Sequence, residues 1–336
     1  MTSGFFQAVK ERVPAKVVSA VKLSVVDVER VLKQEVSSEI AAVRGSGDQT
    51  LIGGGKRLRP LLAIISARAT GNRFDKVKLV HVGAALEMIH MATLIHDDVI
   101  DGADTRRGHP TASAIYGNTA AILSGDVLLA KAMNLLARYG DIGIIEMVSR
   151  AVVEMAEGEV RELECRGEFE LSEEEHMRVL QMKTAAFIEC CCRVGCRMAG
   201  GTKEQEDGLG VYGHHLGLAF QVVDDLLDFQ GNEAKTGKPI ATDFREGQAT
   251  LPLIYLLPSL NEQEAEFARR RFGNGISDDD VKVISDWMKE RGAFDAATKR
   301  AESLAARANR GLAPLPDSDD KLLLETVTRF VVERDS

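Results

Sequence analysis

Residues 94–101 read LIHDDVID, and residues 223–228 repeat the form as VDDLLD: two adjacent aspartates, two apolar residues and a third aspartate, closing an apolar run. Upstream of the first copy, Leu79, Val82, Leu86, Ile89 and Thr93 recur at spacings of three and four. That period predicts a helix over 79–95 that buries one face and ends in carboxylates. Stretches 120–136 and 216–229 are apolar nearly all round, which predicts central helices. With 8 prolines and 5% aromatic residues, the composition favours helix and leaves few candidate strands. The expected fold is therefore all-α, one domain over residues 1–336 with about ten or more helices, and a split near Pro258 is the alternative. Glycine and proline mark loops at 53–55, 102–110, 200–201, 231–239, 273–277 and 314–318.

The 336 residues are 45% hydrophobic and 28% charged, as in a globular protein with a sizeable core. A formal net charge of −9 and the lack of a Lys/Arg-rich block argue against a nucleic-acid partner, so an anionic ligand must be held locally. The N-terminal apolar patch is too short for a signal peptide, Glu11 is out of place in a transit peptide, and no run approaches the roughly eighteen apolar residues of a membrane span. The expected location is the cytoplasm. Five cysteines, Cys165, Cys190, Cys191, Cys192 and Cys196, are odd in number and crowded, which fits a reduced compartment. Cys192 and Cys196 would share a helix face, but without paired C-x-x-C units helix packing is favoured over zinc.

On a helix, Asp97 and Asp101 stack on one face, as do Asp224 and Asp228. Uncompensated like charges there would destabilise an apolar helix, so a cation is expected. Hard oxygen ligands suit Mg²⁺, which keeps several waters and bridges carboxylates to phosphates. Neither copy has the alternating ligands and central glycine of a calcium loop, and six aspartates exceed a glycosidase's pair. Phosphate would also need direct cationic contacts, and Lys56, Arg57 and Arg59 follow three glycines, Arg106 and Arg107 follow the first acidic cluster, and Lys183, with Thr184 at an expected helix end, and Lys238 are further candidates. The glycine run is not a Walker loop.

GGGKRLRP, HMATLIHDDVIDGADTRRG, the KT of QMKTAAF, FQVVDDLLDF and GKPIATDFREGQATLP, spanning roughly 53–252 in this order, together resemble the trans-type polyprenyl diphosphate synthases. The resemblance implies an isoprenoid-synthase bundle with a central active-site cavity, a homodimer, and elongation of an allylic diphosphate by isopentenyl diphosphate with release of diphosphate. It places isopentenyl diphosphate on Lys56, Arg59, His90 and Arg107, and the allylic diphosphate on Arg106, Lys183, Thr184, Gln221 and Lys238. Asp97, Asp101, Asp224 and Lys183 become the catalytic set. Asp97, Asp98, Asp101, Asp224, Asp225 and Asp228 become the magnesium set, with Asp98 and Asp225 supporting the ions or tuning them from behind and Asp243 acting through water. Gln248 stands where many members have lysine, so one positive contact to the allylic diphosphate is missing.

One helical turn rises about 5.4 Å, close to one isoprene unit, so residues upstream of Asp97 should line a product tunnel. Ala92 and Thr93 are small where short-chain relatives carry bulky aromatics, and Met88 narrows without closing. The expected product is long-chain, about seven to ten units by that arithmetic, with a farnesyl or geranylgeranyl product as the alternative. Leu128, Ala132 and Leu135 are candidates for the floor. Contact with a membrane surface would assist product release. A terpene cyclase has no use for GGGKRLRP or a second acidic cluster, and non-catalytic partner subunits tend to lose aspartates that are all present here.

Overall fold

The computed structural model describes Val9 and residues 12–55, 57–231 and 240–333. In chain order the helices are α1 (Ala15–Glu35), α2 (Ala41–Ile52), α3 (Leu58–Ala69), α4 (Lys76–Ile100), α5 (Ala112–Tyr116), α6 (Asn118–Tyr139), α7 (Ile142–Cys165) and α8 (Glu173–Leu180). A π turn, Gln181–Ala185, leads into α9 (Ala186–Met198), then α10 (Lys203–Gln230), α11 (Thr242–Arg245), α12 (Leu251–Leu256) and a 3₁₀ turn, Leu257–Ser259. α13 (Glu262–Arg271), α14 (Asp278–Glu290), α15 (Ala293–Gly311) and α16 (Asp319–Val332) complete the chain. Strands among the described residues are confined to β1 (Thr105–Arg106) and β2 (His109–Pro110), an antiparallel pair. The protein is all-α, as composition and periodicity predict.

Contacts divide the chain into two compact units. The first comprises Met1–Ser149, Cys190–Leu209 and Leu312–Val327, and the second Arg150–Glu189, Gly210–Gly311 and Thr328–Ser336. The boundaries fall inside α7, α9, α10 and α16, so neither unit is a separable stretch of sequence.

In the first unit α4 is capped by Asp75, whose carboxylate accepts from the Val77 and Lys78 N–H groups. It packs against α6, α3 and α1. Leu79, Val82, Leu86 and Ile89 are buried as the period predicts, but Val80, Ala84, Ala85 and Met88 are buried too. Neighbours on several sides account for this, and Gly83 permits one close approach: a Cβ there would lie 3.3 Å from Pro60 Cβ. α6 departs from the central position expected of it. It buries Ala121, Leu128, Ala132 and Leu135 yet leaves Ile122 43% and Leu123 57% exposed.

By length and composition alone, α4 and α6 are long and apolar enough to cross a membrane, contrary to the expectation that no run qualifies. That expectation counts uninterrupted apolar residues, whereas mean hydropathy tolerates isolated charges such as Glu87. The apolar stretch of α4 is 72% buried inside the protein, as in a core helix, against 39% for α6. Cys190, Cys191, Cys192 and Cys196 are buried, on a helix whose Gly195 abuts the Ala63 carbonyl so closely that a side chain there would collide with it.

In the second unit α12 packs against α15, α14 and α8. Two glycines hold the π turn tightly: a Cβ on Gly158 of α7 would lie 2.6 Å from the Lys183 nitrogen, and one on Gly217 of α10 would lie 2.7 Å from Ala185 Cα. Lys183 and Thr184 therefore sit within a helical run continuous from Glu173 to Met198, not at the helix end that the sequence suggests.

Candidate functional site

In the first unit α4 delivers half-buried Asp97 and buried Asp98, and Asp101 is its exposed C-cap. The chain then reverses in a two-residue hairpin whose central residues, Arg107 and Gly108, have φ of 52° and 79°. Both being positive, the turn has the twist that suits a tight hairpin. It brings Arg106 back onto the helix end, where its Nε donates to Asp98 Oδ1 at 2.6 Å. Arg107 donates through Nη1 to the Gly54 carbonyl. The glycine loop and the residues after the acidic cluster, 53 positions apart, thus meet.

Arg57 caps α3 in the left-handed region (φ 47°, ψ 40°) and its Nη1 donates to Glu87 Oε1 at 3.1 Å. A Cβ at Gly55 would lie 3.1 Å from Arg57 Nη1 and 3.4 Å from Arg107 Nη1, so both guanidinium groups border one glycine. Burial, followed by the charges of Arg59, Arg107, Arg106 and Arg57, pushes the His90 pKa well below its ordinary value. Burial also lowers Arg59, against the opposing charges of Glu87, Cys191 and Asp97. His90 is consequently neutral near pH 7 and can donate one N–H to an anion. A neutral imidazole among several guanidinium groups offers the donors that an anion requires.

In the second unit the last turns of α10 carry Asp224, Asp225 and Asp228. Buried Asp225 pairs through Oδ2 with His176 Nε2 at 2.8 Å. Asp228 accepts backbone N–H bonds from Thr242 (3.0 Å) and Asp243 (3.2 Å). Burial, then Asp228, Asp225 and Glu162, pushes the Asp243 carboxyl well up, as expected of acids crowded together. Lys183 Nζ lies 2.9 Å from Glu159 Oε2 and also pairs with Glu162. Burial opposes its charge, but Glu162 and Glu159 outweigh burial and hold the ammonium above its ordinary value. Thr184 and Gln221 are half-buried. Gln248 donates its backbone N–H to the Asp243 carbonyl at 2.8 Å and lines a small cavity with Glu162, Arg166, His176 and Thr250.

Among the described residues, three that are not glycine have positive φ: Arg57, Arg107 and Ala241, whose N–H donates to the Asp228 carbonyl. All three lie at these two clusters, where backbone strain marks function more often than chance.

The polyprenyl synthetase family model matches residues 41–288, which includes both aspartate clusters and every basic candidate. The chain belongs to the polyprenyl synthetase family. It is 35% identical over 302 residues to the octaprenyl diphosphate synthase of Escherichia coli (strain K12), covering 90% of this chain and 93% of that one. Among solved structures it is similar to a decaprenyl diphosphate synthase from Rhodobacter capsulatus, with a TM-score of 0.89, 34% identity, and 96% and 99% of the two chains covered. It is equally similar to a polyprenyl synthase from Caulobacter crescentus CB15 complexed with calcium and isoprenyl diphosphate, with a TM-score of 0.89, 35% identity, and 95% and 97% covered.

Within this polyprenyl synthetase, Asp97, Asp98, Arg59, His90, Arg106 and Arg107 come together in the first unit, and Lys183, Asp225, Asp228 and Asp243 in the second. Lys56 and Lys238 lie outside the described residues. Ala92 and Met88 are buried, and half-buried Thr93 donates its hydroxyl to the His90 carbonyl at 2.9 Å. No three carboxylate, imidazole or thiolate side chains converge as a closed metal cage among the described residues. The donor chemistry still fits Mg²⁺, which takes one or two carboxylates and fills its sphere with water and phosphate oxygens. Asp98 is engaged by Arg106 and Asp225 by His176, which suits these middle aspartates to a supporting role.

Sequence reasoning overlooked Glu87, Glu159, Glu162 and His176. A signal existed for Glu87, the lone acid of α4 upstream of Asp97. His176 gave none, since 49 residues separate it from Asp225.

Proposed function

We propose that this chain, acting as one catalytic domain over residues 1–336 in the cytoplasm, condenses isopentenyl diphosphate with an allylic diphosphate into a long-chain trans-polyprenyl diphosphate and releases diphosphate. The observation that carries this reading is the presence of two acidic clusters and a separate basic cluster, in a chain whose similarity to the octaprenyl enzyme spans nine-tenths of its length. One diphosphate needs metal and the other needs only cations, and the chain supplies both kinds of site.

Arg59, His90 and Arg107, with Lys56, hold the isopentenyl diphosphate, His90 donating as a neutral imidazole. Arg106, Lys183, Thr184 and Gln221, with Lys238, hold the allylic diphosphate. Asp97 and Asp101 in one unit and Asp224 and Asp228 in the other are the residues that would hold Mg²⁺, and Asp243 supports them through water. When bound, the metal offsets negative charge on the departing diphosphate. Arg106 and Lys183 stabilise the same leaving charge and so assist ionisation of the allylic C–O bond. The double bond of the isopentenyl group, fixed by the first cluster, attacks the resulting carbocation. A proton then leaves the adduct for the released diphosphate, since no described side chain in the motifs is placed as a general base. The apolar burial around α4 excludes water that would quench the cation.

The wholly buried Met88 and Ala92 and the half-buried Thr93 support a product channel along α4. The exposed Ile122 and Leu123 of α6, with exposed Ile115 and Tyr116, give the first unit an apolar face that a homodimer would cover. Contact of the finished product with a membrane surface would aid its release.

Incubation with isopentenyl diphosphate, Mg²⁺ and geranyl, farnesyl or geranylgeranyl diphosphate in turn, followed by chromatography, tests the activity. Elongation beyond farnesyl length is expected, and no elongation with any starter refutes it. Ala92→Phe should shorten the product, and an unchanged length removes that residue from the channel wall. Light scattering of the purified chain should give twice the monomer mass.

A further inference from the structure

Glu87 is the least explained charge in the first unit. It sits near the middle of α4, 2% exposed, where an isolated carboxylate would be strongly destabilising or give up its charge. It is not isolated: Arg57, 6% exposed, donates to Oε1 at 3.1 Å. The Glu87 Oε2 atom is buried with no hydrogen-bond donor among the described residues, so one acceptor stays committed to the basic cluster by charge alone. Arg59 and Arg107 both register the Glu87 charge, and Arg57 and Arg107 border the same Gly55. Arg57 is also reached at 3.6 Å by Glu29 Oε1, but Glu29 is 45% exposed and its attraction is correspondingly screened.

Four arginines and an imidazole crowd this end of the unit, and with no anion bound they repel one another. Arg57, moreover, must be held in a left-handed backbone conformation that few residues other than glycine adopt. A fixed carboxylate beneath the cluster addresses both difficulties, because it attracts Arg57 into the turn and offsets part of the repulsion before substrate arrives.

We propose that Glu87 is a positioning residue of the isopentenyl diphosphate site: through Arg57 it fixes the Gly55 ledge and the Arg107 guanidinium beside it, so that the site is pre-organised without substrate. This rests on the reading of that cluster as the isopentenyl diphosphate site. Pre-organisation of donors lowers the ordering cost of binding. Glu87 does not touch the substrate and does not act on the allylic side.

The test uses the full chain and isopentenyl diphosphate alone, which does not turn over without an allylic partner, in isothermal titration, with steady-state KM values for both substrates alongside. Glu87→Gln keeps the shape and removes the charge. It should weaken isopentenyl diphosphate binding about tenfold and leave KM for geranyl diphosphate within about twofold. Glu87→Asp, which keeps the charge, should recover most of the loss. If Glu87→Gln does not fold, Arg57→Lys gives the same readout, a several-fold loss confined to isopentenyl diphosphate. Wild-type affinity in Glu87→Gln, tighter binding, or parallel losses for both substrates would overturn the positioning role. Absence of binding by the unmutated protein would instead overturn the site itself and the inference with it.

Discussion

Gly158→Ala is the sharpest probe of the second unit, because the group it would strike is backbone. The added methyl would lie 2.6 Å from the Lys183 nitrogen and 2.8 Å from Met182 Cβ. An ordinary contact needs about 3.5 Å, so α7 and the π turn must separate by roughly 1 Å, a shift that overpacking of a buried site prices at about 1–3 kcal/mol. A loss of that size lowers Tm by roughly 1–4 °C in a chain of this length. The same shift draws Lys183 away from Glu159 and Glu162, both on α7. A misplacement of about 1 Å in a charge that acts on the leaving group costs up to about 100-fold in kcat. Thermal unfolding and turnover with geranyl and isopentenyl diphosphates should therefore both fall, with Glu157→Ala on the exposed neighbouring position close to wild type. A variant with unchanged Tm and kcat would refute the close approach, and a lower Tm with intact kcat would refute the link to Lys183.

His176→Ala leaves Asp225 buried without its imidazole, which should destabilise the chain by about 1–3 kcal/mol, read by chemical denaturation, while His176→Asn should lose less. His90 has a native pKa well below its unfolded value, so the native state binds fewer protons than the unfolded state as pH falls through about 6.5. Stability present at pH 7 is therefore lost towards pH 5, and His90→Gln should show a shallower loss over that window than wild type. Gln248→Lys should lower KM for the allylic diphosphate roughly fivefold, about 1 kcal/mol of added charge attraction, with KM for isopentenyl diphosphate unmoved.

The helix that carries the first cluster was legible because its apolar residues keep a strict three-and-four spacing, and the six aspartates because they repeat in form. The hairpin behind them was legible only as a loop: nothing in TRRGHP announces that Arg107 takes a left-handed turn that sends Arg106 onto Asp98. A π turn has nearly the period of the α-helices around it, so Lys183 looked terminal when it is internal. The exposure of α6 was hidden because apolar composition does not say whether the burying surface belongs to the same chain. Partners such as His176 and Glu162 were illegible for a simpler reason: they are brought in by packing from distant helices, and a single acid or imidazole in an ordinary helix carries no mark of its neighbour.

The left-handed Arg57, Arg107 and Ala241 imply a particular response to selection. Each holds a conformation that glycine or asparagine would take with less strain, so on the order of 1 kcal/mol of stability is forgone at each. A laboratory lineage bred for heat resistance alone would drift first at these three codons, and its survivors would be hardier proteins and poorer catalysts. The same positions, left unchanged in a thermostable descendant, would record that turnover had been under selection throughout.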